Sequence, residues 1–251
     1  MPGVEGRVTM VTGAGRGIGR ITANILSARG ARIMAVARSK NELRSLGLDY
    51  CVADLGTAEG CNLAVEQTHK RLGPVEILVC NHGIGSAHEK VIWEQEQKVW
   101  RDTMRINLDG PYLLSQAVLK DMIVRGYGRL VFTSSTAGQV AEHAGSAYNS
   151  SKHGLLGLMR SVARDAGAFG VTSNAVLPGW VKTPMADTSA KAEAKQRGIS
   201  AEQVWEERAS LYPAGRVVTP EEVAEVIAFL ASEESSGLNG EAITVALGGL
   251  M

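Results

Sequence analysis

The chain of 251 residues carries 26 basic and 26 acidic side chains, for a formal net charge of zero; nucleic-acid binders and basic membrane-surface proteins, which carry a one-signed patch, are disfavoured. Apolar residues make up 45% and charged ones 21%, the balance of an ordinary globular protein. Glycine alone is in excess, 29 of 251 residues against a usual ~7%, yet it follows no three-residue period and sits among apolar runs, which excludes collagen and low-complexity disorder.

The first seven residues have no apolar stretch behind their charge, so no signal peptide is expected. No apolar run approaches the ~20 residues of a membrane span. Cys51, Cys61 and Cys80 are odd in number and lack Cys-x-x-Cys spacing. Buried, inert thiols in a reducing cytoplasm are the expectation. His69, His88, His143 and His153 have no metal-ligand spacing, and no metal site is expected.

In chain order, Val8–Thr12 reads as a strand and runs into a glycine-rich turn. A helical pattern over 18–29 follows and stops at Gly30. Arg32–Ala37 is a second strand, a weaker third ends near Ala53, and Val75–Cys80 is a fourth. Leu114, Val118 and Met122 recur every four residues in a helix before the fifth strand, Arg129–Thr133. Leu155, Leu158, Met159 and Val162 stripe a second long helix before the sixth, Thr172–Val176; the seventh is Ala242–Val245. The strands are continuous apolar runs, as in a parallel sheet covered on both faces. Strand and helix alternating in this way predict an α/β, Rossmann-type, doubly wound sheet of seven parallel strands in a single domain over 1–251. The long stretch from Met185 to Pro220, punctuated by Pro184, Pro213 and Pro220, reads as a helical insertion over a binding site, a lid at about 185–215.

The turn after the first strand is Thr12-Gly13-Ala14-Gly15-Arg16-Gly17-Ile18-Gly19. Glycines there let the backbone bend tightly and approach a pyrophosphate, which rests on the helix N-terminus. The spacing is neither Gly-x-Gly-x-x-Gly nor a P-loop. Further along stand Asp54-Leu55 after the third strand and Asn81-His82-Gly83 after the fourth. Asn107 lies in Arg105-Ile106-Asn107-Leu108, Ser135 lies thirteen residues before Tyr148, and Tyr148-x-x-x-Lys152 follows. Pro178-Gly179, Val181 and Thr183 come after the sixth strand. In this order, and at these strand ends, the chain resembles the short-chain dehydrogenase/reductase family, closest to its 3-oxoacyl reductase and carbonyl reductase-like members.

Tyr148 and Lys152, four apart, share one face of a helix. An ammonium beside the phenol favours the phenolate and lowers the tyrosine's pKa from its reference near ~10, which suits proton exchange with an alcohol or carbonyl oxygen. Read alone, Tyr-x-x-x-Lys also describes a solvated helix face. The resemblance implies that Tyr148 is the proton donor in ketone reduction and the base in alcohol oxidation. It also implies that Ser135 holds the substrate oxygen, that Lys152 binds the nicotinamide ribose, and that Asn107 holds a water joining Lys152 to a proton relay. Ser134 is the neighbouring alternative for the serine. Gly13, Gly15, Arg16, Gly17, Ile18, Gly19, Arg38, Asp54, Leu55, Asn81, Gly83, Tyr148, Lys152, Pro178, Gly179, Val181 and Thr183 are implied to hold the cofactor.

An acid at the end of the second strand binds the ribose of NAD, whereas an arginine accommodates the 2′-phosphate of NADP. Here the strand ends in Ala37-Arg38-Ser39 with no acid before Glu42, and Arg16 adds a second guanidinium. NADP(H) is expected, with NAD(H) as the alternative. His82 stands where the family usually has alanine. His143 lies in the loop before Tyr148, near substrate or in solvent, and Trp180 forms either a substrate wall or core packing.

The resemblance thus implies an NADP(H)-dependent oxidoreductase that reduces a ketone to a secondary alcohol, reversibly, on a small-molecule substrate. A dinucleotide-sensing protein without catalysis is the rival from another class. A sugar epimerase or dehydratase would need a larger C-terminal domain than a chain ending at Met251 provides. The resemblance also implies a homotetramer, paired through long helices at about 100–125 and 147–169 and the strand region near the C-terminus. The apolar end Gly248-Gly249-Leu250-Met251 suits burial on another subunit or a frayed tail.

Overall fold

The computed structural model describes residues 3–86 and 90–249. His88 and the Leu250-Met251 end lie outside them. Among the described residues seven strands form a parallel sheet: β1 (Val8–Thr12), β2 (Arg32–Ala37), β3 (Asp49–Val52), β4 (Ile77–Cys80), β5 (Gly128–Thr133), β6 (Val171–Pro178) and β7 (Ala242–Val245). Their order is β3-β2-β1-β4-β5-β6-β7. The chain therefore works outward from β1 to β3, crosses back, and continues outward from β4. That reversal beside β1 opens a crevice at the carboxyl ends of the strands, where this fold class binds its ligands.

The continuous apolar runs have the expected cause. Successive side chains point to opposite faces, and both faces are buried. Met10, Met34, Leu78, Leu130 and Phe132 join one core with Leu114, Val118, Leu155 and Met159. Val11, Ile33, Ile77, Val79, Val131 and Val176 join another with Leu26 and Ile227. The first core is covered by α3 (Ala58–Arg71), α5 (Gly110–Arg125) and α6 (Ser146–Ala166), and the second by α1 (Gly17–Ala28) and α9 (Pro220–Leu230). The short α2 (Lys40–Arg44) joins β2 to β3.

Three boundaries differ from the sequence reading by more than a residue. The fourth strand begins at Ile77, not Val75; just before it the Glu76 backbone pairs with Val8 and Arg129, and its carboxylate takes the Val8 N–H at 3.0 Å. The sixth extends over Val171–Pro178. The long helix at 100–125 is broken: α4 (Gln97–Met104) passes through a π-helical turn, Arg105–Asp109, before α5 begins. The stretch after β6 holds α7 (Pro184–Arg197) and α8 (Ala201–Ser210), packed on each other through Ala190, Ala194 and Val204. Two of its prolines mark helix starts, and Pro213 lies in the turn after α8. Pro184 follows the N-cap Thr183, and Pro220 follows Thr219, whose hydroxyl and Glu222 form a reciprocal cap.

Candidate active site

A cleft of about 620 Å³ lies at the carboxyl ends of the central strands. One wall is the glycine turn leading into α1. Arg16 is the N-cap residue, but no side chain caps this helix. Its first N–H groups, and the positive end of its dipole, are therefore available to an anion in the cleft. Gly17 adopts φ +55 to turn the backbone into the helix, a region that costs other residues. Gly19 has a different task. A Cβ there would overlap the Asn81 amide and the Gly13 carbonyl, so the glycine makes room for protein and does not line the cleft.

Thr12 ties this turn to the end of β4. Its hydroxyl donates to the Val79 carbonyl at 3.0 Å and receives the N–H groups of Asn81 at 2.9 Å and His82 at 3.2 Å. The His82 ring reaches the same oxygen through Nδ1 at 2.8 Å. The two backbone N–H groups already fill the hydroxyl's two lone pairs. Nε2 is buried and without a partner among the described residues. Burial foremost, and then the Lys152 charge, hold the His82 pKa down to about 3. The imidazole is thus a neutral brace.

Beyond this turn the four residues expected to be catalytic converge. Ser134 donates its hydroxyl to the Lys152 carbonyl at 3.1 Å and is buried. Ser135 lines the cleft, and its oxygen accepts the Ala137 N–H at 3.1 Å. Both serines line the cleft, and they differ in that the Ser134 proton is committed to Lys152. Tyr148 and Lys152 face the cleft from α6, with the ammonium nitrogen 5.5 Å from the centre of the Tyr148 ring. Lys152 donates to the Thr133 carbonyl at 2.9 Å, and burial lowers its pKa to about 8.

Asn107 stands inside the π-turn, a distortion frequent at functional sites. Its side chain does not line the cleft. Oδ1 accepts the Ile84 N–H at 2.8 Å, and Nδ2 donates to the Ile84 carbonyl at 3.0 Å and to Ser151 Oγ at 3.1 Å. It braces the loop after β4 against α6, next to Lys152.

At the other end of the cleft Arg16 and Arg38 are both exposed and both line it, with Ser39 beside them. Glu42, which sequence reasoning set aside, lines it too. Its carboxylate lies 4.0 Å from the Arg16 guanidinium and packs on Gly15, where a Cβ would come within 2.7 Å. Asp54 accepts the Gly56 N–H at 3.1 Å and faces Arg105 at 3.5 Å; the backbone bond and the guanidinium hold its pKa below the usual carboxylate range.

The helices α7 and α8 flank the far end. Arg208 is buried there with its guanidinium carbon 3.6 Å over the Trp180 ring and 5.0 Å from Trp205. It donates to Glu193 at 2.9 Å, Ser189 at 3.2 Å and the Ala186 carbonyl at 3.3 Å. Trp180 is therefore both a cleft wall and packed, and the two readings of it merge. His143 is exposed and does not line the cleft, whereas its neighbour Glu142 does. A sequence motif would not find Glu142 or Glu42; both are placed by tertiary packing.

Apart from Gly19 and Asn107, every residue expected to hold cofactor or substrate lines the cleft. The three thiols lie outside it and are buried; burial pushes Cys61 up to about 11 and raises Cys51 and Cys80 as well. No helix among the described residues is long and apolar enough to cross a membrane.

The family model described as enoyl-(acyl carrier protein) reductase matches residues 13–249. The chain is 33% identical over 250 residues to 3-oxoacyl-[acyl-carrier-protein] reductase FabG of Escherichia coli (strain K12), covering 96% of each chain. Among solved structures it resembles levodione reductase, with a TM-score of 0.93, 30% identity and 97% of each chain covered. It also resembles a variant of actinorhodin polyketide ketoreductase with NADPH, with a TM-score of 0.91, 33% identity and 97% of each chain covered. The chain belongs to the short-chain dehydrogenase/reductase family. It is an oxidoreductase with a Rossmann fold.

Proposed function

We propose that the protein is an NADP(H)-dependent ketoreductase that reduces a ketone to a secondary alcohol, and runs in reverse as an alcohol dehydrogenase. The observation that carries this reading is that Ser135, Tyr148 and Lys152 line the same cleft as the uncapped start of α1. The cofactor, when bound, supplies the hydride; the chain positions and polarises. Ser135 holds the carbonyl oxygen and Tyr148 delivers a proton to it. Lys152 favours the phenolate and holds the ribose hydroxyls, and Asn107 fixes Gly83 and Ile84 beside it, with a water between Asn107 and Lys152 continuing the proton path. The free N–H groups of α1 suit a pyrophosphate, and Arg16 and Arg38 suit a 2′-phosphate. FabG is named for a 3-oxoacyl substrate and the ketoreductase structure holds NADPH; both support the same reading.

Glu42 supports a second one. A carboxylate at the Arg16 end of the cleft is able to accept the ribose hydroxyl of NAD, as acids in this fold do. Cofactor oxidation with a panel of ketones, using NADPH and NADH in parallel, separates the two. Arg38→Ala is expected to lose the NADPH preference by about tenfold or more. Tyr148→Phe is expected to lose nearly all reduction with either cofactor; near-normal rates would overturn the mechanism.

In this reading α7 and α8 form the lid of a single-domain enzyme, the assembly is a homotetramer, and the three free thiols fit a reducing cytoplasm.

A further inference from the structure

At the glycine-turn end of the cleft the charged lining residues are Arg16, Arg38, Glu42 and Asp54, two cations against two anions. Asp54 shares its charge among the Gly56 N–H, Arg105 and, more weakly, Arg38. Glu42 faces Arg16, with the nearest oxygen and nitrogen 4.0 Å apart. Its carboxylate also lies over Gly15, where a Cβ would come within 2.7 Å of the carboxylate oxygen. The glycine beside Arg16 therefore leaves room for an acid of the chain itself. The Glu42 backbone is fixed in that place. It stands in the first turn of α2, and Arg20 of α1 straps α2 to the glycine turn. The Arg20 guanidinium donates to the carbonyls of Gly15 at 3.3 Å and Glu42 at 3.2 Å, and to Ser45 Oγ at 2.9 Å. The pair itself is wet: the Arg16 and Glu42 side chains are 62% and 38% exposed, and an ion pair so exposed is weak enough for a stronger anion to displace.

We propose that Glu42 is an internal competitor for the Arg16 guanidinium and, through it, a determinant of the choice between NADP(H) and NAD(H). The proposal rests on the reading in which this end of the cleft holds the adenosine ribose and Arg16 and Arg38 meet a 2′-phosphate. A guanidinium that already faces a carboxylate gives up that contact when it turns to a phosphate, so the attraction gained is reduced by the attraction lost. A dinucleotide without the phosphate leaves the pair intact. Glu42 thus narrows the gap between the two cofactors from the NADP(H) side, by weakening phosphate binding. Acceptance of the ribose hydroxyl by the same carboxylate narrows the gap from the other side, by strengthening NAD(H), and the two roles separate in a binding measurement.

The test is calorimetric titration of the free protein with NADP⁺ and with NAD⁺, without turnover. Glu42→Gln removes the charge and keeps the shape at a half-exposed position, and Glu42→Ala repeats the measurement without the amide. Both variants are expected to bind NADP⁺ about fivefold more tightly than the native protein and to leave NAD⁺ within about twofold. With Arg16 already replaced by glutamine, the gain for NADP⁺ on adding Glu42→Gln is expected to fall below about half. Unchanged NADP⁺ affinity in both variants, or a gain that persists in full without Arg16, would overturn the competition. A preference that moves only because NAD⁺ binds more weakly overturns it too, and gives the carboxylate to the ribose hydroxyl. If the native protein binds neither dinucleotide, the cofactor reading itself falls and the competition falls with it.

Discussion

Lys152 carries two opposed demands. Burial lowers its pKa from 10.5 to about 8, because a charge is poorly solvated in that wall. Between those values the unfolded chain holds a proton that the native protein has released. This group therefore lets stability rise as pH climbs from about 8 to 10.5, and below pH 8 it is a constant burden. Lys152→Met is expected to abolish reduction and yet raise stability at pH 7 by about 2 kcal/mol, read from denaturant midpoints. In the native enzyme NADPH binding is expected to weaken as pH passes 8 and the ammonium is lost, and the variant should show no such limb. His82 leaves the binding profile flat between pH 5 and 8, since a ring held at about 3 stays neutral throughout, while its cost to stability fades as pH rises toward its unfolded value of 6.5.

At the scale of elements, the pair α7 and α8, packed through Ala190, Ala194 and Val204 and joined by the Arg197–Glu207 pair, is tied to the cleft wall by one buried guanidinium. Arg208 joins Ala186, Ser189 and Glu193 on α7 and stacks on Trp180 at the end of β6. Arg208→Leu leaves Glu193 without that partner and exposes one indole face. Limited proteolysis is expected to cut between residues 184 and 210 faster than in the native protein, with KM for the ketone raised more than kcat is lowered. None of this device was legible in the sequence, because Trp180, Glu193 and Arg208 are separated by helix and turn and no local pattern links them. The strands were legible, since burial on both faces writes a continuous apolar run. So was the Tyr148–Lys152 spacing, which is one helical turn. The π-turn at Asn107 was not: the apolar stripe of Leu114, Val118 and Met122 begins only after it, and one added residue per turn leaves no compositional mark. Gly13 and Gly19 were recognised, but their cause was only half seen. The His82 backbone and the Asn81 amide, far along the chain, occupy the space their missing side chains leave.

For the whole molecule, the faces not used by the sheet are informative. Trp100, Tyr112 and Val124 on α4 and α5 are 40%, 49% and 86% exposed, and Phe169 after α6 is 47% exposed. Apolar side chains of this size are commonly covered in an assembly. Light scattering is expected to report four chains of 26.6 kDa, and Tyr112→Lys with Val124→Lys to report smaller species. A monomer in the unaltered protein would remove the tetramer from the account.

The π-turn has a consequence for motion. It inserts slack between two helices that would otherwise form one rigid rod from Gln97 to Arg125. The side of α5 toward the core is anchored by Leu114, Val118 and Met122, each fully buried, while the turn is held chiefly by Asn107 reaching Ile84 and Ser151. Amide hydrogen exchange is expected to be orders of magnitude faster at 105–109 than in the middle of α5, and to slow at the turn when a dinucleotide binds. The fold then allows local opening beside the chemistry at little cost to the global unfolding free energy, so the mobility of the site and the durability of the scaffold are free to evolve separately.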